Sequence, residues 1–352
     1  MIQKISAKIV ADSLSPHGNR ISSLLCVMPR FILSEINTHR VFSRNSASSR
    51  AVPFKIMTNR VLEDPFVPIA WQKDHNGMQG TEYLDVENED IYPPGDWLEA
   101  RDYMVGIAQE LNEDGVTKQL CNRLLEPFMW HQALITATEW SNFFNLRASQ
   151  YHFKENLYRS RMQVMNVAEA QGVDISGMKQ AGIVDWLKMN EGKAEIHLME
   201  LAEAMWDALG TSAAELKQPG EWHIPFGDDL DDRKLQDLFH ATGKNEHIEF
   251  DSITEMKVKI ATARCARTSY INYEGKDDYA ADLKLFDNLS RQEHWSPFEH
   301  CAKCMTKDEY TAFSHTTPIR RDGKVIGQDI DEGWCRNFKG FIQLRAIMEG
   351  EV

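Results

Sequence analysis

Hydrophobic and polar positions alternate along the first stretch of the chain. Ile5, Ala7 and Ile9 recur at every second residue, and after a turn cluster at Ser13–Asn19 the runs Ile21–Met28 and Phe31–Ile36 resume the pattern. Residues from Ile2 to Ile36 therefore read as strands. The period then changes. Trp97, Tyr103, Ile107 and Leu111 recur near helical spacing and predict a helix over Asp96–Glu113. A second helix is expected over Thr117–Leu125, stopping before Pro127, and a long third from about Trp130 to Asn145. Leu198, Leu201, Met205 and Leu209 form one apolar stripe, which predicts a helix over Ala194–Leu209. Val258–Tyr270 opens the last segment, and Ala280–Leu289 reads as a helix. Between these lie a Pro- and Gly-rich elaboration over 61–96, a loop at Pro219–Phe226 and an acidic cluster at Asp228–Asp232, read as a solvated turn. There is no internal repeat and no low-complexity tract.

The chain has 352 residues, of which 42% are hydrophobic and 26% charged, a balance that excludes wholesale disorder and allows a sizeable core. No apolar run reaches the roughly 20 residues of a membrane span, and Met1–Lys8 lacks a signal-peptide core. No membrane partner is expected, and the location expected is the cytoplasm. With 39 Lys+Arg against 53 Asp+Glu the formal charge is −14. That argues against a broad grip on polymeric nucleic acid, although a local basic pocket for one small anion is compatible with it. The six cysteines are scattered, as suits reduced thiols. Cys301 and Cys304, preceded by His300, have the spacing of half a zinc site but no second half. Buried thiols are the ordinary reading, and no metal is expected.

Three segments carry candidate chemistry. His39, Arg40, Ser43, Asn45, Ser48 and Arg50 crowd into a dozen residues after the strands. Cations and hydroxyls in such density suit phosphate binding, and equally a solvated helix start. Asn142-Phe-Phe-Asn-Leu-Arg147 places an Asn and an Arg on an aromatic helix, where an amphipathic helix with a surface Arg is the competing reading. Ala263–Tyr270 is followed by His294-Trp-Ser-Pro-Phe-Glu-His300, in which Ser296-Pro297 reads as a helix opening with the hydroxyl as cap and Glu299 in the first turn.

Together these segments resemble the flavin-dependent thymidylate synthases. That family's signature RHRxxSxNExSxRY is matched in register by Thr38-His39-Arg40-Val-Phe-Ser43-Arg-Asn45-Ser46-Ala-Ser48-Ser-Arg50, with Thr38, Ser46 and Ala51 replacing Arg, Glu and Tyr. Its NFLxLR is matched by Asn142–Arg147. Its AQxEIRxLA is similar to Ala194–Ala202, with Glu195, His197 and Met199 as departures. The two pieces are nearly adjacent in the family, so residues 148–193 read as a helical insertion. Arg123, four residues before Pro127, resembles a further family position. The ARxSY and HxSPFEH signatures, which normally come first, lie here at 263–300, so the motif order looks circularly permuted. Enlarged, permuted versions of this kind are associated with bacteriophage genomes.

The resemblance implies an α+β fold, with a mixed or antiparallel sheet and a helical bundle. It implies one elaborated domain over 1–352, with strands and the first motif in 1–60, a helical core in 96–147 and 194–210, and the permuted segment in 258–300. It implies transfer of a one-carbon unit from methylenetetrahydrofolate to C5 of dUMP, reduction by FAD hydride and re-reduction by NADPH. Arg147 matches the position that stabilises charge on the uracil ring. Ser48, Arg50, Arg123 and Glu35 match nucleotide contacts, with Glu35 standing in place of a Gln. His39, Arg40, Asn142, His294 and Ser296 match the flavin site. Thr136 and Thr138 replace an Asn and an Arg there. A homotetramer with shared active sites is the implied assembly. C5 hydroxymethylation of a pyrimidine nucleotide, and a non-catalytic nucleotide-binding or assembly protein on the same fold, are the alternative readings.

Overall fold

The alternating N-terminal stretch forms a hairpin in the computed structural model, which describes residues 3–76, 80–86, 91–242, 251–268, 277–321 and 324–351. Strand β1 (Ser6–Leu14) turns through Gly18, at φ +82°, into antiparallel β2 (Arg20–Pro29). Two further strands, β3 (Ser43–Ser46) and β4 (Trp130–Ala137), complete the antiparallel part of a sheet ordered β3-β4-β2-β1, and Glu215–Leu216 adds a short parallel edge. With its flanking helices and smaller antiparallel sheets the fold is α+β. No helix among the described residues is long and apolar enough to cross a membrane.

One face of the sheet is closed by apolar packing. Leu24, Cys26 and Met28 of β2 alternate inward with Ala133, Ile135 and Ala137 of β4. They meet Leu198, Leu201, Ala202 and Met205 of helix Ile196–Thr211 and Phe143 and Phe144 of helix Ser141–Arg147. Each fully buried Leu or Met there contributes about 1.5–3 kcal/mol. On the other face Leu134 meets Phe226 and Cys265, the latter on helix Ile253–Arg267.

Several expected elements are corrected. Trp130–Ala137 is a strand, not the start of a long helix; only Ser141–Arg147 is helical. This strand is central and covered on both faces, so it shows a continuous apolar run rather than alternation. Phe31–Ile36 is not extended but forms a 3-10 turn, Arg30–Ile32, and one helical turn, Leu33–Ile36; its buried residues Ile32 and Ile36 stand four apart, the helical period. Helix Phe54–Glu63 begins directly after Pro53, and its last residues, 61–63, fall in the stretch expected as a loop-rich elaboration. The helix at Thr117 is a single turn, Lys118–Cys121, capped by the Thr117 hydroxyl, and continues as a 3-10 stretch, Asn122–Phe128, that contains Pro127. Within the loop Pro219–Phe226, Trp222–His223 pairs with strand Ala302–Cys304.

Residues 148–193 are mainly helical, with helices Arg161–Ala170, Ser176–Gln180 and Ile183–Met189, but open with a small hairpin, Tyr151–Phe153 and Asn156–Tyr158. The helices expected at 96–113, 194–209 and 280–289 run Pro93–Glu113, Ile196–Thr211 and Tyr279–Arg291. Asp228 and Asp229 lie exposed in a 3-10 turn, as expected of a solvated cluster.

Candidate functional site

The turn between Ile36 and β3 is set by Arg44, whose Nη1 donates to the carbonyl oxygens of Ile36 and His39 at 3.1 Å each. That closure buries His39 against Phe42 and edge-on to Phe143, with ring centroids 4.9 Å apart in the latter pair. Arg147, the last residue of helix Ser141–Arg147, donates its Nε–H to His39 Nε2 at 3.3 Å. His39 is thus an acceptor at Nε2. Burial, then the charges of Arg147 and Arg44, hold its pKa below the ordinary value, so it is neutral. The Nη groups of Arg147 have no hydrogen-bond or ion-pair partner among the described residues, and the side chain is half-buried. A neutral imidazole orients this guanidinium and leaves its fork open.

At the other end of this motif the N- and C-terminal segments meet. Asn45 Nδ2 donates to the Cys265 carbonyl and, at 3.2 Å, to Thr268 Oγ1, while Asn45 Oδ1 accepts from Ser296 Oγ at 3.3 Å. Ser43 Oγ accepts from Asn337 and Gln343 at 3.0 and 3.1 Å. Ser296 therefore does not cap its turn; Ser296–Glu299 is a 3-10 turn entered through Trp295 without a side-chain cap. Arg264 and Arg267 pair with Asp282, and Arg264 also with Asp277, which gives the ARxSY block a structural core. Its Ser269 and Tyr270 lie outside the described residues.

Of the expected nucleotide contacts, Arg123 lies beside Glu126. Ser49 Oγ donates to Glu126 Oε1 at 2.9 Å, Arg123 Nη1 lies 3.4 Å from the same oxygen, and Arg30 Nη2 lies 3.5 Å from it. Arg123 is exposed, so its pair with Glu126 contributes little. Arg50 is exposed and Ser48 partly buried on the same loop, neither with a side-chain partner among the described residues. Arg30 was not anticipated; the only sequence signal was its place at the end of an apolar run. Glu35 is partly buried and accepts from Ser34 Oγ at 2.8 Å. Arg40, Asn142 and His294 are exposed, with no side-chain hydrogen bond among the described residues. Two cavities, of about 430 and 460 Å³, are lined by none of these residues.

The departures from the family pattern are taken up by structural bonds. Thr136 Oγ1 bonds Ser23 Oγ at 2.6 Å and His300 Nδ1 at 2.8 Å, and Thr138 Oγ1 accepts from Lys339 N. His197 Nε2 accepts from Ile69 N at 3.1 Å and its Nδ1 faces Glu195, while Met199 is buried with its sulfur near Asn190 Nδ2. Cys301 is buried beside Thr262 Oγ1, and burial pushes its thiol up to about 12. Among the described residues no group of three or more His, Cys, Asp or Glu side chains is placed to hold a metal ion.

No family model matches this chain, and no curated protein matches it. Among solved structures it is similar to a UMP/dUMP methylase, PolB, from Streptomyces cacaoi bound with 5-Br dUMP, at 12% identity and TM-score 0.33 over 53% of this chain and 95% of that one. The same methylase bound with 5-Br UMP aligns at 14% identity and TM-score 0.32, over 55% of this chain and 97% of that one.

Proposed function

We propose that this chain is a flavin-dependent enzyme that transfers a one-carbon unit to C5 of a uracil mononucleotide, in the manner of a thymidylate synthase. The observation that carries the reading is the His39–Arg147 pair. Uracil C5 becomes nucleophilic only as negative charge develops on the ring, and a preorganised guanidinium stabilises that charge without a protein nucleophile. Arg stays protonated throughout the working pH range. Because His39 is neutral, it fixes the Arg147 Nε without adding a cation.

Arg50 and Arg123, with Ser48, supply guanidiniums and a hydroxyl for the nucleotide phosphate, and Arg30 pairs with Glu126 beside Arg123. Glu35 takes the place of a Gln that contacts the nucleotide in the family this chain resembles. In this reading Arg40, Asn142, His294 and Ser296 would hold the flavin; the first three are exposed with no side-chain hydrogen bond among the described residues, and Ser296 is fixed by Asn45. When bound, FAD supplies the hydride that reduces the transferred carbon, with NADPH as reductant and methylenetetrahydrofolate as donor. A homotetramer with shared active sites is the assembly this reading implies.

The test is tritium release from 5-³H-dUMP with FAD, NADPH and methylenetetrahydrofolate. Arg147→Ala is expected to slow release about a hundred- to a thousand-fold while leaving the fold intact. Arg147→Lys should rescue poorly, because an ammonium cannot copy a planar fork held through Nε. Equal rates for wild type and Arg147→Ala would remove Arg147 from the chemistry. A wild-type protein that neither takes up FAD nor releases tritium would leave the non-catalytic reading in its place.

A further inference from the structure

The cavity of about 430 Å³ lies between helix Phe54–Glu63 and the face of the sheet opposite helix Ile196–Thr211. Its volume falls in the range of small-molecule sites. Leu25, Val27, Met57, Val61 and Phe128 give it apolar walls, and Trp130 lines it as well. Two cations also line it, Lys8 and Arg60, and neither makes a hydrogen bond or an ion pair with any described residue.

Arg60 is the informative one. It is partly buried, and burial alone pushes its pKa down, with no carboxylate offsetting the cost. Its Nη1 is enclosed by protein without an acceptor. An arginine in such a place is normally paired, because a buried charge or donor without a partner is unfavourable. The nearby acids do not fill the role. Asp64 accepts from Gln3 N at 2.8 Å, and neither Asp64 nor exposed Glu63 comes within ion-pair distance of Arg60 or Lys8. His131, the other titratable group on the wall, is neutral, its pKa held down to about 3 by burial and by Arg30. The cavity thus combines apolar walls, a tryptophan and an uncompensated guanidinium in a chain of net charge −14.

We propose that this cavity is a second binding site, for a flat aromatic carboxylate whose ring lies along the apolar wall and Trp130 and whose anion is met by Arg60, with Lys8 at the mouth. The site shares no residue with the one assigned to uracil chemistry, so it stands or falls independently of that function.

The probes are 2-naphthoate and its neutral counterpart 2-naphthamide, titrated calorimetrically into the full-length protein. Saturable 1:1 binding of 2-naphthoate is expected. Arg60→Gln should weaken it about tenfold or more, Lys8→Gln by about two- to threefold, and 2-naphthamide binding should be insensitive to both. Val27→Trp, which fills the cavity, should abolish binding of either probe. An independent readout guards against misfolding: since Arg60 has no partner among the described residues to lose, Arg60→Met should leave the melting temperature unchanged or raise it. Absence of saturable 2-naphthoate binding overturns the proposal. So does binding indifferent to Arg60→Gln, or a clear fall in melting temperature for Arg60→Met, which would make Arg60 a structural residue.

Discussion

Two seams fasten distant stretches of this chain to its central core, and they are made of opposite materials. Residues 148–193 are clamped to helix Ile196–Thr211 by charge. Arg161 donates through Nε and its backbone N to Glu203 Oε1, both at 2.7 Å, and through Nη2 to Glu200 at 2.5 Å, while Tyr151 OH reaches Glu203 Oε2 at 3.2 Å. The C-terminal block is stitched to the sheet by neutral groups. Ser13 Oγ meets His223 Nδ1, His223 Nε2 meets Ser23 Oγ, Ser23 Oγ meets Thr136 Oγ1, and Thr136 Oγ1 meets His300 Nδ1, all between 2.6 and 2.9 Å. Every hydroxyl inside this chain can donate once and accept once, in either direction along it, so only His300 Nε2 is left without a partner. A charged clamp is strong only while both partners are present. A neutral seam loses its bonds one at a time.

The largest effect should therefore come from breaking the clamp. Arg161→Met leaves the carboxylate of Glu203, a nearly fully buried residue, without its cation. The expected loss is about 3–5 kcal/mol, read from urea unfolding, with faster proteolysis within 148–193. Adding Glu203→Met to Arg161→Met should recover most of it, because the double change removes the desolvated charge as well as its partner. A loss below about 1 kcal/mol for the single variant would mean that apolar contacts, such as Tyr151 with Trp186, hold this segment instead.

The two seams were not equally legible in the sequence, and neither was the site. Alternation exposed β1 and β2 because one periodic set of their side chains faces helix Ile196–Thr211. It concealed Trp130–Ala137, which is buried from both sides and reads equally well as helix. His39 and Arg147 were each singled out by motif, yet their contact spans 108 residues and follows from no local rule. The partners of Thr136 lie 113 and 164 residues away, so its structural role could be seen only once the strands were paired. Arg44 carried no motif signal, although it shapes the turn that buries His39. Arg60 is the limiting case, since what marks it is the lack of a partner in three dimensions among the described residues.

The neutral seam should yield less when cut. Thr136→Val keeps the shape but leaves Ser23 Oγ one bond short and His300 without its one side-chain partner among the described residues. About 1–3 kcal/mol is expected, measured as a fall in urea midpoint without a change in slope. Thr138→Val, which removes a single bond to Lys339 N in a partly buried place, should cost less.

The property that separates the seams most cleanly is the sign of their pH dependence. Burial holds His223 and His300 at about 3, far below the ordinary histidine value of 6.5, with Lys217 and His300 adding to the shift at His223 and Asp12 opposing it. Between about pH 6.5 and 3 the unfolded chain takes up these protons and the folded one does not, so this seam loses stability as pH falls. Asp207, beside the clamp, behaves oppositely. Burial, with Glu203 and Glu200 adding to it and Ser160 and Arg161 opposing it, raises its pKa to about 6. Between about pH 4 and 6 the folded chain holds the extra proton, so this region gains stability as pH falls and loses it as pH rises through 6. Asp207→Asn should remove that gain and make the urea midpoint drop more steeply on acidification from pH 6 to 4. His223→Gln, neutral at every pH, should make the same drop shallower. Slopes that move in the same direction in the two variants would show that the seams do not carry opposite proton linkage.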